Sequence, residues 1–94
     1  MDLLKRTWAE IDLDHLEYNY HQLRGHVADG CRFLGVVKAD AYGHGAVQVS
    51  HTLEELGADY LAVSNLEEAV QLRRAAVRLP VLLLGYTPPR YAAE

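Results

Sequence analysis

The sequence predicts an α/β protein with a parallel sheet. Apolar runs without polar alternation lie at residues 33–37, 60–63 and 81–84, which is typical of short strands buried on both faces. Segments with helical periodicity separate these runs, so the order is β-α-β-α-β, with strands about 20 to 30 residues apart, as in βαβ units. A doubly wound sheet and the first part of a barrel fit this periodicity equally well.

The first element is predicted to be a strand at residues 8–13. Ala9, Ile11 and Leu13 would share one face, as in a half-buried strand. A helix follows, and either Asp12 or Asp14 is placed to cap it. Its apolar stripe consists of Leu16, Tyr20, Leu23 and Val27.

Glycines and capping residues predict where the later helices begin and end. A helix over residues 45–56 would end at Gly57, the position that glycine favours after a helix. The next helix would end near residue 76. It begins with two overlapping capping signals, one pairing Ser64 with Glu67 and the other pairing Asn65 with Glu68.

Composition limits the class of protein. Of its residues 50% are hydrophobic and 23% charged, as in an ordinary globular domain. The length of 94 residues allows one small domain, so we expect residues 1–94 to form a single unit. The net charge of −4 argues against a general nucleic-acid binder. No apolar run is long enough to cross a membrane or form a signal peptide, and the single cysteine fits a reducing compartment. We therefore expect a cytoplasmic protein.

Lys38 is the candidate catalytic residue. It stands where the apolar run at 33–37 gives way to a loop containing Gly43 and Gly45, and α/β folds build active sites at the carboxyl ends of their strands. A lysine in an apolar setting tends to lose its proton, and the neutral amine is the form that reacts with aldehydes. The alternative is a strand-end lysine that extends its amine to solvent.

Two segments carry a resemblance to a known family. Residues 38–45, KADAYGHG, resemble the pyridoxal-phosphate attachment segment of bacterial alanine racemases. Residues 7–13, TWAEIDL, resemble the opening of the same family, and the two segments occur in the expected order. The similarity runs along the whole chain, which would correspond to about the first quarter of such an enzyme.

The resemblance implies a fold, a cofactor and a reaction. The fold would be the first part of a (β/α)8 barrel, which needs about 250 residues to close. Lys38 would form the internal aldimine with pyridoxal 5'-phosphate, and the Tyr42 hydroxyl would bind the cofactor phosphate. The enzyme would be a homodimer that interconverts L-alanine and D-alanine and so supplies D-alanine for peptidoglycan.

Other residues of the segment receive structural interpretations. His44 is expected to be hydrogen-bonded to the loop, because no Cys/His cluster has the spacing of a zinc site and no metal is predicted. Asp40 is expected to order the loop. Tyr42 itself would otherwise be a half-buried tyrosine with a hydrated hydroxyl.

Three alternatives stay open. The resemblance implies a second catalytic base on a C-terminal β domain of the partner subunit, so we expect this chain to be an N-terminal fragment that is inactive alone. It could instead be a module that binds pyridoxal phosphate without turnover, or a structural fragment without a ligand. A related racemase acting on serine or lysine is also compatible, because residues that shape the substrate site would lie later in sequence.

Overall fold

The computed structural model describes residues 9–93 and contains a three-stranded parallel sheet with helices between the strands. The helices are α1 Leu13–Gly25, α3 Ala46–Leu56 and α4 Leu66–Arg74, and the short segment α2 Lys38–Tyr42 is a single turn with positive φ at residues 39–42. The strands are β1 Leu34–Val36, β2 Tyr60–Val63 and β3 Val81–Leu83, and a 3-10 turn spans Pro89–Tyr91. The predicted β-α-β-α-β order and parallel sheet are confirmed.

The sheet has the order β1-β2-β3, so the central strand is also the middle strand in sequence. Gly35 lies opposite Leu61, and Leu61 lies opposite Val81. All three strands therefore point the same way, and their carboxyl ends share one edge of the sheet. A three-stranded sheet of this connectivity is open and corresponds to the first part of a (β/α)8 barrel.

One face of the sheet packs against the helices. Leu61 and Val63 of β2 are fully buried there, together with Leu72 of α4. Gly35 allows α3 to approach β1 closely, since a Cβ atom added to it would lie 2.7 Å from Cδ1 of Leu53. The remaining buried members of this core are Tyr20, Val37, Ala41, Ala46, Val49, Ala58 and Val77.

On the opposite face the two outer strands are open to solvent, which corrects the prediction that residues 33–37 and 81–84 are covered on both faces. Leu34 is 41% exposed and Val36 42%, while Leu82 is 50% exposed and Leu84 52%. Side chains alternate along a strand, so these four leucine and valine residues share the face away from the helices. In a closed barrel this face points inward and meets the other strands.

The N-terminal prediction was partly wrong. Trp8 lies outside the described residues, residues 9–12 form no strand, and Leu13 begins α1. Asp12 is the N-cap, and its carboxylate accepts hydrogen bonds from the backbone amides of Asp14 and His15 at 2.9 and 3.2 Å. Residues 9–12 have the alternating pattern of a strand. Within the described residues no strand lies beside them to pair with, so they do not form one.

The apolar stripe of α1 is only partly used. Tyr20 is buried and stacks edge-on against Phe33, with their ring centroids 4.8 Å apart, but Leu23 and Val27 are exposed. Gly57, by contrast, takes the predicted left-handed conformation after α3, with φ 94°. No helix in residues 9–93 is long and apolar enough to cross a bilayer.

Asp59 joins the amino ends of β1 and β2. Its Oδ2 accepts a hydrogen bond from the backbone amide of Phe33 at 2.7 Å and contacts both terminal nitrogens of Arg24 at 3.3 Å. The Phe33 amide, with a further contribution from the Arg24 guanidinium, lowers the pKa of Asp59 below its ordinary value despite the opposing effect of burial.

We expect Asp59→Asn to flatten the acid side of the pH–stability profile. Because the folded-state pKa is lowered, the unfolded chain binds more protons in acid. The stabilisation of the fold by ionised Asp59 is therefore complete at pH values above the pKa of an unfolded aspartate, about 3.9. It is lost as pH falls through the lower pKa of the folded state. Urea unfolding at a series of pH values measures this. Asp29→Asn, in an exposed turn, is the control, and an equal slope in both variants would contradict the assignment.

Gly85 is the point of closest backbone approach after β3. Its amide donates to the Ser64 carbonyl at 2.8 Å, and a Cβ atom added to Gly85 would lie 2.5 Å from that same oxygen. The loops after β2 and β3 can therefore pair only if position 85 has no side chain.

Gly85→Ala should lower the free energy of unfolding by about 1–3 kcal/mol, the usual effect of overpacking against an atom that cannot rotate away. Gly25→Ala is the matched control, because an added Cβ at that position meets no atom within 4 Å. Urea midpoints measure both changes. A Gly85→Ala midpoint equal to that of the control would show that the loops separate without loss of stability.

Candidate functional site

Lys38 comes directly after β1, at the edge of the sheet where the parallel strands end. Val37, just before it, is almost completely buried, and its amide donates to the Ala62 carbonyl of β2 at 2.9 Å. Lys38 is half-buried and continues the alternation of Leu34 and Val36. The predicted location at the carboxyl end of β1 is therefore the one that the structure has.

The chain then makes a left-handed turn, which the sequence did not predict. Ala39, Asp40, Ala41 and Tyr42 all have φ between 51° and 55°. This conformation costs an L-residue roughly 1–2 kcal/mol, and only Asp among these residue types adopts it with some ease. The two glycines had indicated a tight loop, and Gly43 and Gly45 do have φ of 90° and 92°, but the strained backbone begins four residues before Gly43.

Backbone hydrogen bonds close this turn at both ends. The Ala41 amide donates to the Val37 carbonyl at 2.9 Å. The carbonyl of Asp40 accepts from the amides of Gly43 and Gly45, at 3.1 and 2.9 Å. Ala41 is also buried in the core, so the turn is fixed by packing as well as by hydrogen bonds.

The Asp40 side chain connects the turn to α3. Its Oδ1 accepts a hydrogen bond from the Ala46 amide, the first of the helix, at 2.7 Å. Gly45 is the N-cap of α3 and has no side chain to do this, so Asp40 supplies the cap from six residues earlier. The expectation that Asp40 orders the loop is confirmed.

His44 has the structural role expected of it. Its Nδ1 lies 2.8 Å from the Ala41 carbonyl, and its backbone amide donates to that same carbonyl at 3.1 Å. The imidazole therefore secures the exit of the left-handed turn. Within residues 9–93, no group of three histidine, cysteine, aspartate or glutamate side chains could hold a metal ion.

Glu68, which sequence reasoning treated only as a helix cap, reaches this turn. Its Oε2 accepts from the Ala39 amide at 2.8 Å, and its Oε1 accepts from the Ser64 amide at 2.6 Å. Asn65 is the true N-cap of α4, because its Oδ1 accepts from the Glu68 amide at 3.0 Å. A carboxylate three residues after an N-cap was visible in the sequence, but its contact with Ala39, 29 residues away, was not.

Tyr42 ends the turn that Lys38 begins. The residue is 65% exposed, so the alternative interpretation of Tyr42 as a half-buried tyrosine does not hold. The structure thus places the two predicted site residues at opposite ends of one rigid turn, beyond β1. An amine and a phenol at the carboxyl edge of a parallel sheet can bind an aldehyde and an anion, respectively.

The sequence matches a protein-family model. Residues 11–94 match the model described as alanine racemase, N-terminal domain. The chain belongs to the alanine racemase family. The matched residues include the whole left-handed turn and all three strands.

Curated alanine racemases are similar along nearly the whole chain. The enzyme of Desulfovibrio desulfuricans is 49% identical over 87 residues, which cover 93% of this chain and 24% of the relative. Alanine racemase 2 of Caldanaerobacter subterraneus subsp. tengcongensis is 46% identical over 93 residues, covering 99% of this chain and 24% of the relative. The chain therefore spans about a quarter of the length of these relatives.

Solved alanine racemases have the same fold over this region. That of Clostridium difficile 630 superposes with a TM-score of 0.86 at 46% identity, covering 93% of this chain and 23% of that one. The Bacillus anthracis alanine racemase with bound L-Ala-P also gives a TM-score of 0.86, at 40% identity, covering 96% and 23%. These superpositions agree with the family assignment and with an open part of a barrel.

We expect Asp40→Ala to destabilise the turn and Asp40→Asn to preserve it. Alanine removes the hydrogen bond to Ala46 and disfavours the left-handed conformation, a loss of about 1 kcal/mol or more in the free energy of unfolding. Asparagine keeps an acceptor oxygen and tolerates positive φ. Urea unfolding measures both variants, and equal midpoints for alanine and asparagine would show that the side chain of residue 40 does not hold the turn.

Proposed function

We propose that this chain contributes the cofactor-binding lysine of an enzyme that interconverts L-alanine and D-alanine. The observation that carries the proposal is the position of Lys38, half-buried at the carboxyl end of β1 inside a turn held by Asp40 and Glu68. Membership of the alanine racemase family supports the reaction. The proposed cofactor is pyridoxal 5'-phosphate.

The residues present fit that cofactor. Within the described residues no side chain forms a hydrogen bond or an ion pair with the Lys38 amine, so its nitrogen is available for covalent attachment. Leu34, Val36 and Leu82 give the adjoining sheet face an apolar surface suited to an aromatic ring. Tyr42, at the far end of the turn, supplies an exposed hydroxyl that can donate to a phosphate oxygen.

Each residue has a defined part in the chemistry. When bound, pyridoxal phosphate supplies an electron sink for the pair left at the substrate α-carbon. Lys38 Nζ would hold the cofactor and, as a neutral amine, could take or return a proton at the substrate α-carbon. The Tyr42 hydroxyl would bind the phosphate, and the hydrogen-bonded turn between the two residues sets the backbone positions from which the amine and the hydroxyl extend.

The proposal extends to the setting of the enzyme. It would act in the cytoplasm as a homodimer and provide D-alanine for peptidoglycan. Racemization needs a base on each face of the α-carbon, and Lys38 can serve only one face. We therefore propose that this 94-residue chain does not racemize alanine by itself.

The direct test is covalent labelling of the chain by pyridoxal phosphate followed by borohydride reduction and peptide mapping. The sequence has two lysines, Lys5 and Lys38, so Lys5 is an internal control. We expect selective labelling of Lys38 at stoichiometric cofactor, because Tyr42 and the adjoining apolar sheet face would give a cofactor bound there further contacts.

Two variants sharpen this test. Lys38→Arg keeps the positive charge but should abolish the label, since a guanidinium does not condense with the aldehyde under these conditions. Tyr42→Phe should leave Lys38 competent but require a higher cofactor concentration, because one phosphate contact is lost. Equal labelling of Lys5 and Lys38 in the unmodified chain would overturn the assignment.

A further inference from the structure

The Glu68 carboxylate joins the ends of two neighbouring strands. One of its oxygens accepts from the Ala39 amide, directly after Lys38 and β1, at 2.8 Å. The other accepts from the Ser64 amide, directly after β2, at 2.6 Å. A single side chain from α4 thus holds both loops at the edge where Lys38 lies.

This geometry goes beyond helix capping. In a capping box the glutamate three residues after the N-cap turns back to the amide of the N-cap residue itself, which here is Asn65. Glu68 reaches instead to Ser64, one residue earlier, and across the sheet to Ala39. Only the second of these contacts touches the segment containing Lys38, and stabilising α4 does not require it.

We propose that Glu68 is a positioning residue for Lys38. The peptide unit between Lys38 and Ala39 is planar. A hydrogen bond that holds the Ala39 N–H therefore fixes the orientation of the whole peptide plane on the C-terminal side of Lys38. That plane also sets the start of the left-handed turn, in which Ala39 has φ 51°. The part of this proposal that concerns the reactivity of Lys38 rests on the proposed function.

The strain in the turn explains why an anchor is placed here. Ala39 is the first of four residues in a conformation that L-residues disfavour, and alanine has no side chain that could stabilise it. A carboxylate that accepts from a backbone amide forms a charge-assisted hydrogen bond, which is stronger than a neutral one. Without it the Lys38–Ala39 peptide can rotate, and the backbone that carries the lysine side chain is then no longer fixed on its C-terminal side.

The test compares Glu68→Ala with Glu67→Ala. Glu67 is the adjacent, exposed acidic residue in the first turn of α4, so the control removes the same charge from the same helix. Alanine is the best helix former, so neither change weakens α4 through propensity. Glu68→Gln is the graded variant, because its amide group retains one acceptor oxygen in place of two.

Two measurements are made on each variant of the full chain. The first is the rate at which pyridoxal phosphate and borohydride modify Lys38, relative to Lys5. The second is hydrogen exchange at the Ala39 amide, which needs no cofactor. The Leu61 amide, bonded to the Pro80 carbonyl at 3.0 Å, reports whether the sheet is still folded.

In Glu68→Ala we expect Lys38 modification to fall and Ala39 exchange to rise by about fivefold or more, as for loss of one hydrogen bond to a charged group. Modification of Lys5 and exchange at Leu61 should not change. Glu67→Ala should match the unmodified chain, and Glu68→Gln should fall between the two.

The outcomes separate this proposal from the preceding one. Unchanged Ala39 exchange in Glu68→Ala, or an equal loss in Glu67→Ala, would overturn the positioning role. Unchanged Lys38 modification together with faster Ala39 exchange would also overturn it, because the anchor would then not act on the lysine. If the unmodified chain shows no preference for Lys38 while Ala39 exchange still depends on Glu68, cofactor attachment is refuted and the backbone anchor stands.

Discussion

Burial of the central strand β2 is the constraint on which the rest of this structure depends. Its residues Leu61, Ala62 and Val63 have no exposed surface, and both other strands pair with it in parallel. Parallel pairing brings the carboxyl ends of all three strands to one edge. Lys38 is at that edge only because β1 pairs with β2 in the register that places Val36 opposite Ala62.

Carboxylates bind backbone amides at both edges of this sheet. At the amino edge, Asp59 accepts from Phe33 before β1, and Glu54 accepts from the amides of Arg78 and Leu79 before β3. At the carboxyl edge, Glu68 links the loops after β1 and β2. These side chains therefore give a protein partner to backbone amides that lie beyond the ends of short strands and have no partner within the sheet.

The parts of the fold that sequence predicted are those determined by local pattern. Apolar runs identified the three strands, and Gly57 marked the end of α3, because burial and positive φ leave direct signatures in residue type. The left-handed conformation of Ala39 and Ala41 left no such signature, since alanine favours right-handed helices. It is imposed by hydrogen bonds and packing across the fold, as is the contact between Glu68 and Ala39, which no local pattern encodes.

In the candidate site, too, some features were predictable from local sequence and others depend on contacts across the fold. Lys38 was found from its position after an apolar run, and its pairing with Tyr42 came from resemblance to a family segment. What neither source provided is the set of contacts that holds the segment in place. A flexible lysine loses conformational entropy whenever its amine is fixed for reaction. A strained turn held by Asp40, His44 and Glu68 meets the backbone part of that cost during folding, so the chain on the C-terminal side of Lys38 is already ordered before any ligand binds.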